Sequence, residues 1–485
     1  MAKFLGLILG VFSMFFFNMA WAQEVDTDSL KNYQNGAFVG LYGRIGINTV
    51  VNHGRATGAN FNLNGMGSRG GRNEEGDYFE FIPGYQFQPN LKNGDRTRIK
   101  IALTFAMYSR SSQLITYGST NQLSGLAFAL PEAYIQVDEI ANLPLMLWVG
   151  GRYTRETYSQ TNDYFNFDDH TGQGAGIKYK NTQLMALYVA SRDTSDTGPN
   201  YFYNGVVNNG QVLELRQRLV LIGEQNFSLG EDHSFKALAE YHQLAEADDN
   251  ADTVGVNPNQ LKSANGWVLG LKHRWNILNR SRQTYNTLTV RYARGIANGG
   301  DNGFSRTYFT YGAPDLEANH FNRAYSLSIV ESLILEYSEK FSSEIYGLYM
   351  RSRGAAAESA LDDRGQAENY FGTKVYNFKE EFVVGARTMF HLNNYLHLIA
   401  EGSYQSRVNG TDPAASVTKL TLAPTFMPIG HDGLFDRPQI RLVFTLARYN
   451  DFAQRSIGSP FLNVVGPTPV GFYVGVKSEW YIGTP

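Results

Sequence analysis

Acidic and aromatic residues crowd into one short segment, residues 162–176, whose sequence is NDYFNFDDHTGQGAG. Asp163 and Asp168 supply carboxylates, which accept hydrogen bonds, and Phe165 between them supplies a flat apolar ring. A core helix does not carry so many carboxylates, and a turn does not need so many rings. The role of the segment therefore depends on what surrounds it.

Charged residues of both signs occupy the polar positions of alternating segments elsewhere in the chain. They are Arg44, Glu80, Lys100, Glu132, Arg291, Arg387, Glu401, Arg441, Lys477 and Glu479. A pore that selects ions of one charge would be expected to carry a ring of charged side chains of a single sign. A mixed set suits a neutral, hydroxyl-rich solute, because each hydroxyl both donates and accepts. The alternative is that mixed charges only solvate a wide lumen.

Aromatic residues also occur on this polar side. Four tyrosines lie on the same side of their alternating segments as the neighbouring polar residues: Tyr42, Tyr78, Tyr285 and Tyr481. Phe435 lies in the turn GLFDRP. A water-filled lumen has no reason to display rings, since exposed apolar area costs about 25 cal/mol per Å². Sugar rings, however, stack their C–H faces on aromatic faces, so these positions indicate a sugar-binding surface.

The elements that position these residues are predicted to be strands. In RIKIALTFAMYS, Leu103 and Phe105 face one way while Lys100 and Thr104 face the other, and many segments repeat this period of two. About 18 such segments, the first near Ala37, are joined alternately by short turns and long loops. This layout predicts an all-β transmembrane antiparallel barrel over residues 37–485, with short periplasmic turns and long extracellular loops. A closed barrel leaves no backbone group unpaired in lipid.

The first residues predict export. Lys3 precedes an apolar run, and Ala20-Trp21-Ala22 is a small-x-small cleavage site before Gln23. We therefore expect a signal peptide over residues 1–22 and a short periplasmic leader over residues 23–36. An uncleaved membrane anchor is the alternative. After this segment no run reaches the ~18 apolar residues of a membrane helix.

Composition and motifs exclude several other classes of function. The net charge of −3 gives no sign of a nucleic-acid partner, and the absence of cysteine excludes disulfides and thiolate metal sites. His397 is predicted to face inward near Glu401, but no nucleophile accompanies it, so we expect no catalytic residue. Three contiguous residues, Asp168 to His170, rarely converge on one ion. We expect no metal and no cofactor.

Several motifs resemble those of the maltoporin (sugar porin) family of trimeric outer-membrane channels. They are FVGLYGRIGI, GRNEEGDYFE, EAYIQV followed by LWVGGRY, DYFNFD with GQGAG, GWVLGLKH and LFDRPQIR. GQGAG alone is weak, whereas the ordered set LWVGGRY, DYFNFD and GQGAG is fairly specific. The resemblance covers most of the mature chain and is weakest between about Arg192 and Ala415.

This resemblance implies roles for individual residues. The family's aromatic slide corresponds to Tyr42, Tyr78, Tyr285, Phe435 and Tyr481. Its polar track corresponds to Arg44, Glu80, Arg441 and Glu479, with either Arg152 or Arg155 as a further basic member. The loop over residues 153–172 is implied to fold into the barrel as the constriction. In it Phe165 limits the diameter, Asp163 and Asp168 bond sugar hydroxyls, and Gly172, Gly174 and Gly176 let the chain bend back to the wall.

These inferences predict a sugar-selective porin of the outer membrane that admits maltose and maltodextrin-type oligosaccharides by passive diffusion. Its expected partners are the oligosaccharide, outer-membrane lipid and two further copies of itself in a homotrimer. The alternative is a general or other-solute diffusion porin of the same architecture. The long loops also permit a secondary role as an adhesin or phage receptor.

Overall fold

The computed structural model describes residues 35–52, 55–56, 60–89, 94–109, 126–189, 207–208, 211–212, 218–246, 262–278, 284–299, 308, 310–336, 338–369, 372–430 and 433–483. The expected signal peptide and most of the expected leader lie outside these residues.

Within the described residues, eighteen long strands form the wall of a closed barrel. They are β1 (Gly36–Asn52), β2 (Tyr78–Phe87), β3 (Arg98–Ser109), β4 (Leu126–Asp138), β5 (Leu145–Arg152), β6 (Gly172–Tyr179), β7 (Thr182–Val189), β8 (Arg218–Leu229), β9 (His233–Leu244), β10 (Ala264–Leu278), β11 (Thr284–Gly295), β12 (Tyr325–Leu335), β13 (Phe341–Arg353), β14 (Phe378–His391), β15 (Leu396–Asn409), β16 (Ala415–Phe426), β17 (Gln439–Tyr449) and β18 (Val470–Gly483).

Each strand pairs antiparallel with the next in the chain, and the last pairs with the first. In the closing pair Tyr42 lies opposite Tyr481, and Arg44 opposite Glu479. The predicted all-β antiparallel barrel with an even number of strands is therefore confirmed. Closure satisfies the backbone groups that an open edge would leave unpaired in hydrocarbon.

The two faces of the wall divide as the alternation predicts. Leu103 and Phe105 point outward with 36% and 45% of their surface exposed, whereas Thr104 between them points inward and is buried. The ten charged residues predicted to face the lumen all lie on the inner face. The outer face is an apolar band that faces lipid, and the chain is an outer-membrane β-barrel protein.

The connections differ between the two rims, again as predicted. Short turns such as residues 180–181 and 392–395 occupy the periplasmic rim, and long segments such as residues 153–171 leave the other rim. Two short helices, α1 (Asp451–Arg455) and α2 (Pro460–Val465), lie between β17 and β18. Asn450 and Ser459 cap their first turns by accepting from backbone N–H groups. None of the helices in the described part of the chain is long and apolar enough to cross a membrane.

Smaller two-stranded hairpins and single turns of 3₁₀-helix complete the secondary structure. The hairpins join Tyr158–Ser159 to Tyr164–Phe165, Val207–Asn208 to Gln211–Val212, and Gln366–Glu368 to Lys374–Tyr376. Arg55–Ala56 pairs with the end of β1. The 3₁₀ turns are Ile140–Asn142 and Glu358–Ala360.

The glycines after the acidic loop serve a different purpose from the predicted one. Gly172, Gly174 and Gly176 lie inside β6, and none of them has a left-handed backbone conformation. A Cβ at Gly174 would lie 2.1 Å from the carbonyl oxygen of Ala186, and one at Gly176 would lie 2.2 Å from Nε1 of Trp148. These glycines therefore permit close packing against the wall rather than a sharp bend.

Candidate functional site

Two extracellular segments fold into the barrel and divide its interior. We call residues 60–77 the first inner loop and residues 153–171 the second inner loop. Phe61 and Met66 of the first and Phe167 of the second are fully buried, as are many of their polar residues. Both loops are held mainly by polar contacts to inward-facing side chains of the strands.

The second inner loop is fixed to β8 and β9 by a buried ammonium group. Nζ of Lys236 donates to Glu156 at 2.7 Å, to Asp168 at 2.9 Å and to Glu224 at 3.3 Å. Asp168 also accepts from the backbone N–H and the hydroxyl of Thr157, at 2.8 and 3.0 Å. Burial alone would raise the pKa of Asp168, but the nearby lysines and these hydrogen bonds hold it well below its usual range.

A histidine ties the end of the same loop to the same two strands. His170 lies between two carboxylates, with Nδ1 at 3.0 Å from Glu224 and Nε2 at 3.1 Å from Glu240. Burial alone would lower the pKa of His170, but its two acidic neighbours outweigh burial and raise the pKa to about 10. The imidazolium is therefore the stable form at neutral pH.

The tip of the second inner loop reaches the opposite wall. The buried carboxylate of Glu344 on β13 accepts from Ser159 Oγ at 2.8 Å and from the backbone N–H of Thr161 at 2.8 Å. Arg387 on β14 donates to the carbonyl of Thr161 at 3.4 Å, and Arg291 on β11 donates to that of Phe167 at 3.2 Å. The loop thus crosses the interior from β8 to β14.

The first inner loop covers the remaining strands up to β18. Arg69 pairs with Glu381 of β14 at 2.5 Å, and Glu74 pairs with Lys419 of β16. Asn73 donates to Glu401 of β15 at 2.9 Å. These contacts fill that side of the lumen with protein.

The two loops also contact each other. Arg72 of the first lies 3.2 Å from Asp163 of the second, and the guanidinium of Arg69 lies 4.8 Å from the centre of the Tyr164 ring. The amide of Asn162 donates to the carbonyl of Arg69 at 3.2 Å. The loops therefore form one continuous internal layer.

This layer leaves one part of the inner surface accessible. On β8 to β18 most of the long charged inward side chains are buried: Lys236, Glu240, Arg291, Glu344, Arg387, Glu401, Lys419, Arg441 and Lys477. Lys272 and Arg274 on β10 keep some exposure. On β1 to β5 the corresponding side chains keep partial exposure: Tyr42, Arg44, Tyr78, Glu80, Lys100, Glu132, Tyr134 and Arg152. We call the inner face of β1–β5 the open wall.

Aromatic residues lie close together on the open wall. The rings of Tyr42 and Tyr78 have centroids 5.9 Å apart, and the hydroxyl of Tyr78 donates to Glu80. Tyr481 is the register partner of Tyr42 on the neighbouring strand. Phe435, in the turn before β17, is partly buried and packs against the hydrophobic cluster that includes Met427 and Leu434.

A carboxylate on β18 gathers arginines beside these rings. Glu479 lies 2.9 Å from Arg72 and 2.7 Å from Arg437, and it also bonds Arg441. The hydroxyl of Tyr42 accepts from Arg72 at 3.2 Å, and the Arg437 guanidinium lies 5.5 Å from the centre of its ring. Arg44 pairs separately with Glu75 at 3.0 Å. Three arginines thus share the carboxylate of Glu479, while Arg44 has an acidic partner of its own.

Further arginines stack on rings where the second inner loop leaves the wall. Arg155 lies 3.8 Å from the ring centre of Tyr153 and 4.1 Å from that of Phe165. Arg152 lies 5.1 Å from the ring centre of Tyr134. Burial, together with the charge of Glu80, raises the pKa of the Tyr153 hydroxyl to about 12, so this residue is a neutral donor.

The structure brings most of the predicted site residues together, with two exceptions. Tyr285 lies on β11, eight strands from β1 in the ring, so its ring cannot continue the row formed by Tyr42 and Tyr78. Asp168 is 1% exposed and its oxygens are occupied by Lys236 and Thr157. The expectation that it bonds solute hydroxyls is therefore wrong, because it anchors the loop instead. Asp163 at the hairpin tip keeps 45% of its side chain exposed.

Some residues of the site were not found from the sequence. Tyr153 follows β5 and lacks the alternation that marked the other rings. The inward folding of the first inner loop was not predicted, although its run GSRGGRNEEGD is unusually charged and rich in glycine for an exposed loop. Within the described residues, no group of three or more His, Cys, Asp or Glu side chains is arranged to hold a metal ion.

Comparisons with known proteins give structural neighbours of low sequence identity. OprD from Pseudomonas aeruginosa is 10% identical, with 93% of this chain and 96% of that chain covered and a TM-score of 0.43. OccK9 (OpdG) from Pseudomonas aeruginosa is 9% identical, with 93% and 99% covered and a TM-score of 0.46. OccAB4 from Acinetobacter baumannii is 9% identical, with 94% and 99% covered and a TM-score of 0.45. A search among curated proteins found no significant match.

A family model gives the decisive comparison. The model described as LamB porin matches residues 38–481, which extend from the first strand of the barrel to the last. The chain therefore belongs to the LamB porin family, and it is a channel of the outer membrane.

Proposed function

We propose that this porin is selective for sugars and lets maltose and maltodextrin-type oligosaccharides diffuse passively along the open wall. The observation that carries the proposal is the pair of lumen-facing rings of Tyr42 and Tyr78, 5.9 Å apart and flanked by Glu80 and Arg44. Rings offer stacking surfaces to a pyranose, and flanking charges offer partners to its hydroxyls. Tyr481 and Phe435 extend this surface.

The second inner loop supports selectivity as well as passage. Phe165 is partly exposed and stacks on Arg155, and Asp163 is the more accessible of the two acids first assigned to the constriction. We assign the constriction to these residues, with Glu80, Arg152 and Arg155 as the polar track and Arg441 and Glu479 as buried supports of it. In this arrangement the loop narrows the channel, and the solute slides between it and the open wall.

The proposal is tested by conductance in a planar bilayer. Maltohexaose added to the parent channel should reduce the current in a saturable way. Phe165→Ala should raise the open-channel conductance, whereas the matched control Phe105→Ala removes a ring from the lipid-facing side and should not. A current that is unaffected by the sugar at any concentration would favour a general diffusion porin of the same architecture.

The assembly and processing of the chain are proposals on the same basis. The resemblance to trimeric sugar porins leads us to propose a homotrimer, and the mass of the detergent-solubilised protein tests it. The signal peptide over residues 1–22 predicts that mature protein isolated from outer membranes begins at Gln23. A monomer mass, or an intact Met1, would contradict the respective proposal.

A further inference from the structure

We propose that the open wall contains a subsite for a carboxylate, so that the oligosaccharides it takes best are acidic ones such as uronic acid oligomers. This inference deepens the sugar-channel function and rests on it. It commits to one recognition residue, Arg155, which lies at the junction of the open wall and the second inner loop.

The first observation is the environment of the Arg155 guanidinium. Its central carbon lies 3.8 Å from the Tyr153 ring centre and 4.1 Å from the Phe165 ring centre. Two rings at these distances cannot both cover one face of the guanidinium, so the group lies between them. Stacking covers the two faces of the plane and leaves the N–H donors at its edge.

The second observation is that these donors have no hydrogen-bond acceptor among the residues that the structure describes. Within those residues Arg155 makes no hydrogen bond and no ion pair; it stacks on the two rings, and the charge of Glu80 acts on it without a direct bond. It is half-buried, so its edge reaches the lumen. An arginine fork that is held rigid with free donors matches the two oxygens of a carboxylate. Within the ranges that the structure describes, neighbouring Arg152 adds a second cation without a carboxylate partner, since its polar contact is the Met146 sulfur at 3.8 Å.

The acids near this fork are, in contrast, already occupied. Glu132 accepts from Thr104 Oγ1 at 2.7 Å and from the backbone N–H of Tyr153 at 2.9 Å. Glu80 accepts from the hydroxyl of Tyr78. The acids of the wall thus have protein donors, while the arginines at the junction have no hydrogen-bonded acceptor in the described part of the chain. A solute that supplies a carboxylate together with hydroxyls fits this imbalance better than a neutral sugar does.

The test compares a hexamer of galacturonic acid with maltohexaose as blockers of the same channel in a planar bilayer. In the parent the acidic hexamer should bind at least about tenfold more tightly. Arg155→Gln should remove most of this preference by weakening the block by the acidic hexamer about tenfold and the block by maltohexaose much less, and Arg155→Lys, which keeps the charge without the planar fork, should fall between.

A matched control separates the effect of the Arg155 guanidinium from that of the overall positive charge in the lumen. Arg274 also stacks on a ring, 3.7 Å from the centre of Tyr285, but on the far wall. Arg274→Gln should leave the preference unchanged. The inference is overturned if the acidic hexamer blocks no better than maltohexaose, or if Arg274→Gln lowers the preference as much as Arg155→Gln. If neither sugar blocks the parent channel, the sugar-channel function itself has failed. Heat stability in detergent confirms that each variant has folded.

Discussion

Replacing Lys236 by Met should free the second inner loop without opening the barrel. The ammonium group is 1% exposed and lies within 3.3 Å of three carboxylates, two of which are also buried. Removing it leaves Asp168 as a buried anion that has lost its main counter-charge, and it takes a second cation from Glu224, which keeps His170. Breaking a buried pair in this way costs about 3–5 kcal/mol. A loss of about 3 kcal/mol multiplies the population of released loop roughly a hundredfold.

Single-channel recording measures this release directly. The variant Lys236→Met should show a larger mean conductance and frequent conductance steps as the loop leaves and returns. The matched control is Lys262→Met, because Lys262 pairs with Glu246 at 2.8 Å while both side chains are about half exposed. An exposed pair of this kind contributes about 0–1 kcal/mol. The control should therefore have the same mean conductance and the same conductance noise as the parent channel.

A second variant keeps the result interpretable if Lys236→Met assembles poorly. Adding Asp168→Asn to Lys236→Met removes a buried negative charge along with the positive one. The double variant should recover part of the lost stability and have less conductance noise than Lys236→Met, because the cost of Lys236→Met comes from uncompensated carboxylates. A Lys236→Met channel whose conductance and noise equal those of the parent would refute this account of how the loop is held.

Three further predictions follow from other parts of the molecule. Leu103→Arg should lower barrel stability by about 2–4 kcal/mol if the residue lies near the bilayer midplane, and thermal unfolding in lipid measures it; a variant as heat-resistant as the parent would mean that the face is misassigned. Tyr42→Ala should weaken sugar block by a factor that corresponds to about 1 kcal/mol while leaving open-channel conductance nearly intact; unchanged block would reduce the ring to filler. The pKa of His170 is raised above its unfolded value, so its ion pairs stabilise the loop fully below about pH 6.5 and are lost as the pH rises through about 10. Conductance noise should therefore grow above about pH 10, and His170→Gln, which lacks the charge, should be noisy already at pH 7 and show no such step.

The wall of the barrel could be predicted from the sequence, because lipid imposes a strict rule on it. Every outward position must be apolar and every backbone group must be paired. The alternation of apolar and polar residues and the number of strands can therefore be recognised from short segments of the sequence. The errors occurred where this rule weakens. The start of β4 at Leu126, for example, lies in the run LAFALP, which is apolar without alternation and so gives no period-two signal. The short helices α1 and α2 were also missed, since five or six residues give no readable helical period.

The interior could be predicted less well, because its contacts join residues that are far apart in sequence. Asp163 and Asp168 are five positions apart and read alike, yet one is exposed at a hairpin tip and the other is buried against Lys236. What separates them is a lysine on another strand, which local pattern cannot reveal. The same holds for Glu74, whose partner Lys419 follows more than three hundred residues later. Parity indicates that a side chain faces the lumen but not whether a loop will cover it.

The two inner loops explain why so many charges can face the inside of one barrel. Lipid cannot supply partners for carboxylates, and a narrow lumen cannot solvate all of them, so these charges form ion pairs or hydrogen bonds with the inner loops or with neighbouring strands. Where pairing is complete, as around Lys236 and Glu344, the charges act as structure. Where it is incomplete, at Arg152 and Arg155 beside the rings of the open wall, the free donors remain for a solute. The distribution of unpaired groups, rather than the total charge, therefore identifies the side of the lumen on which recognition takes place.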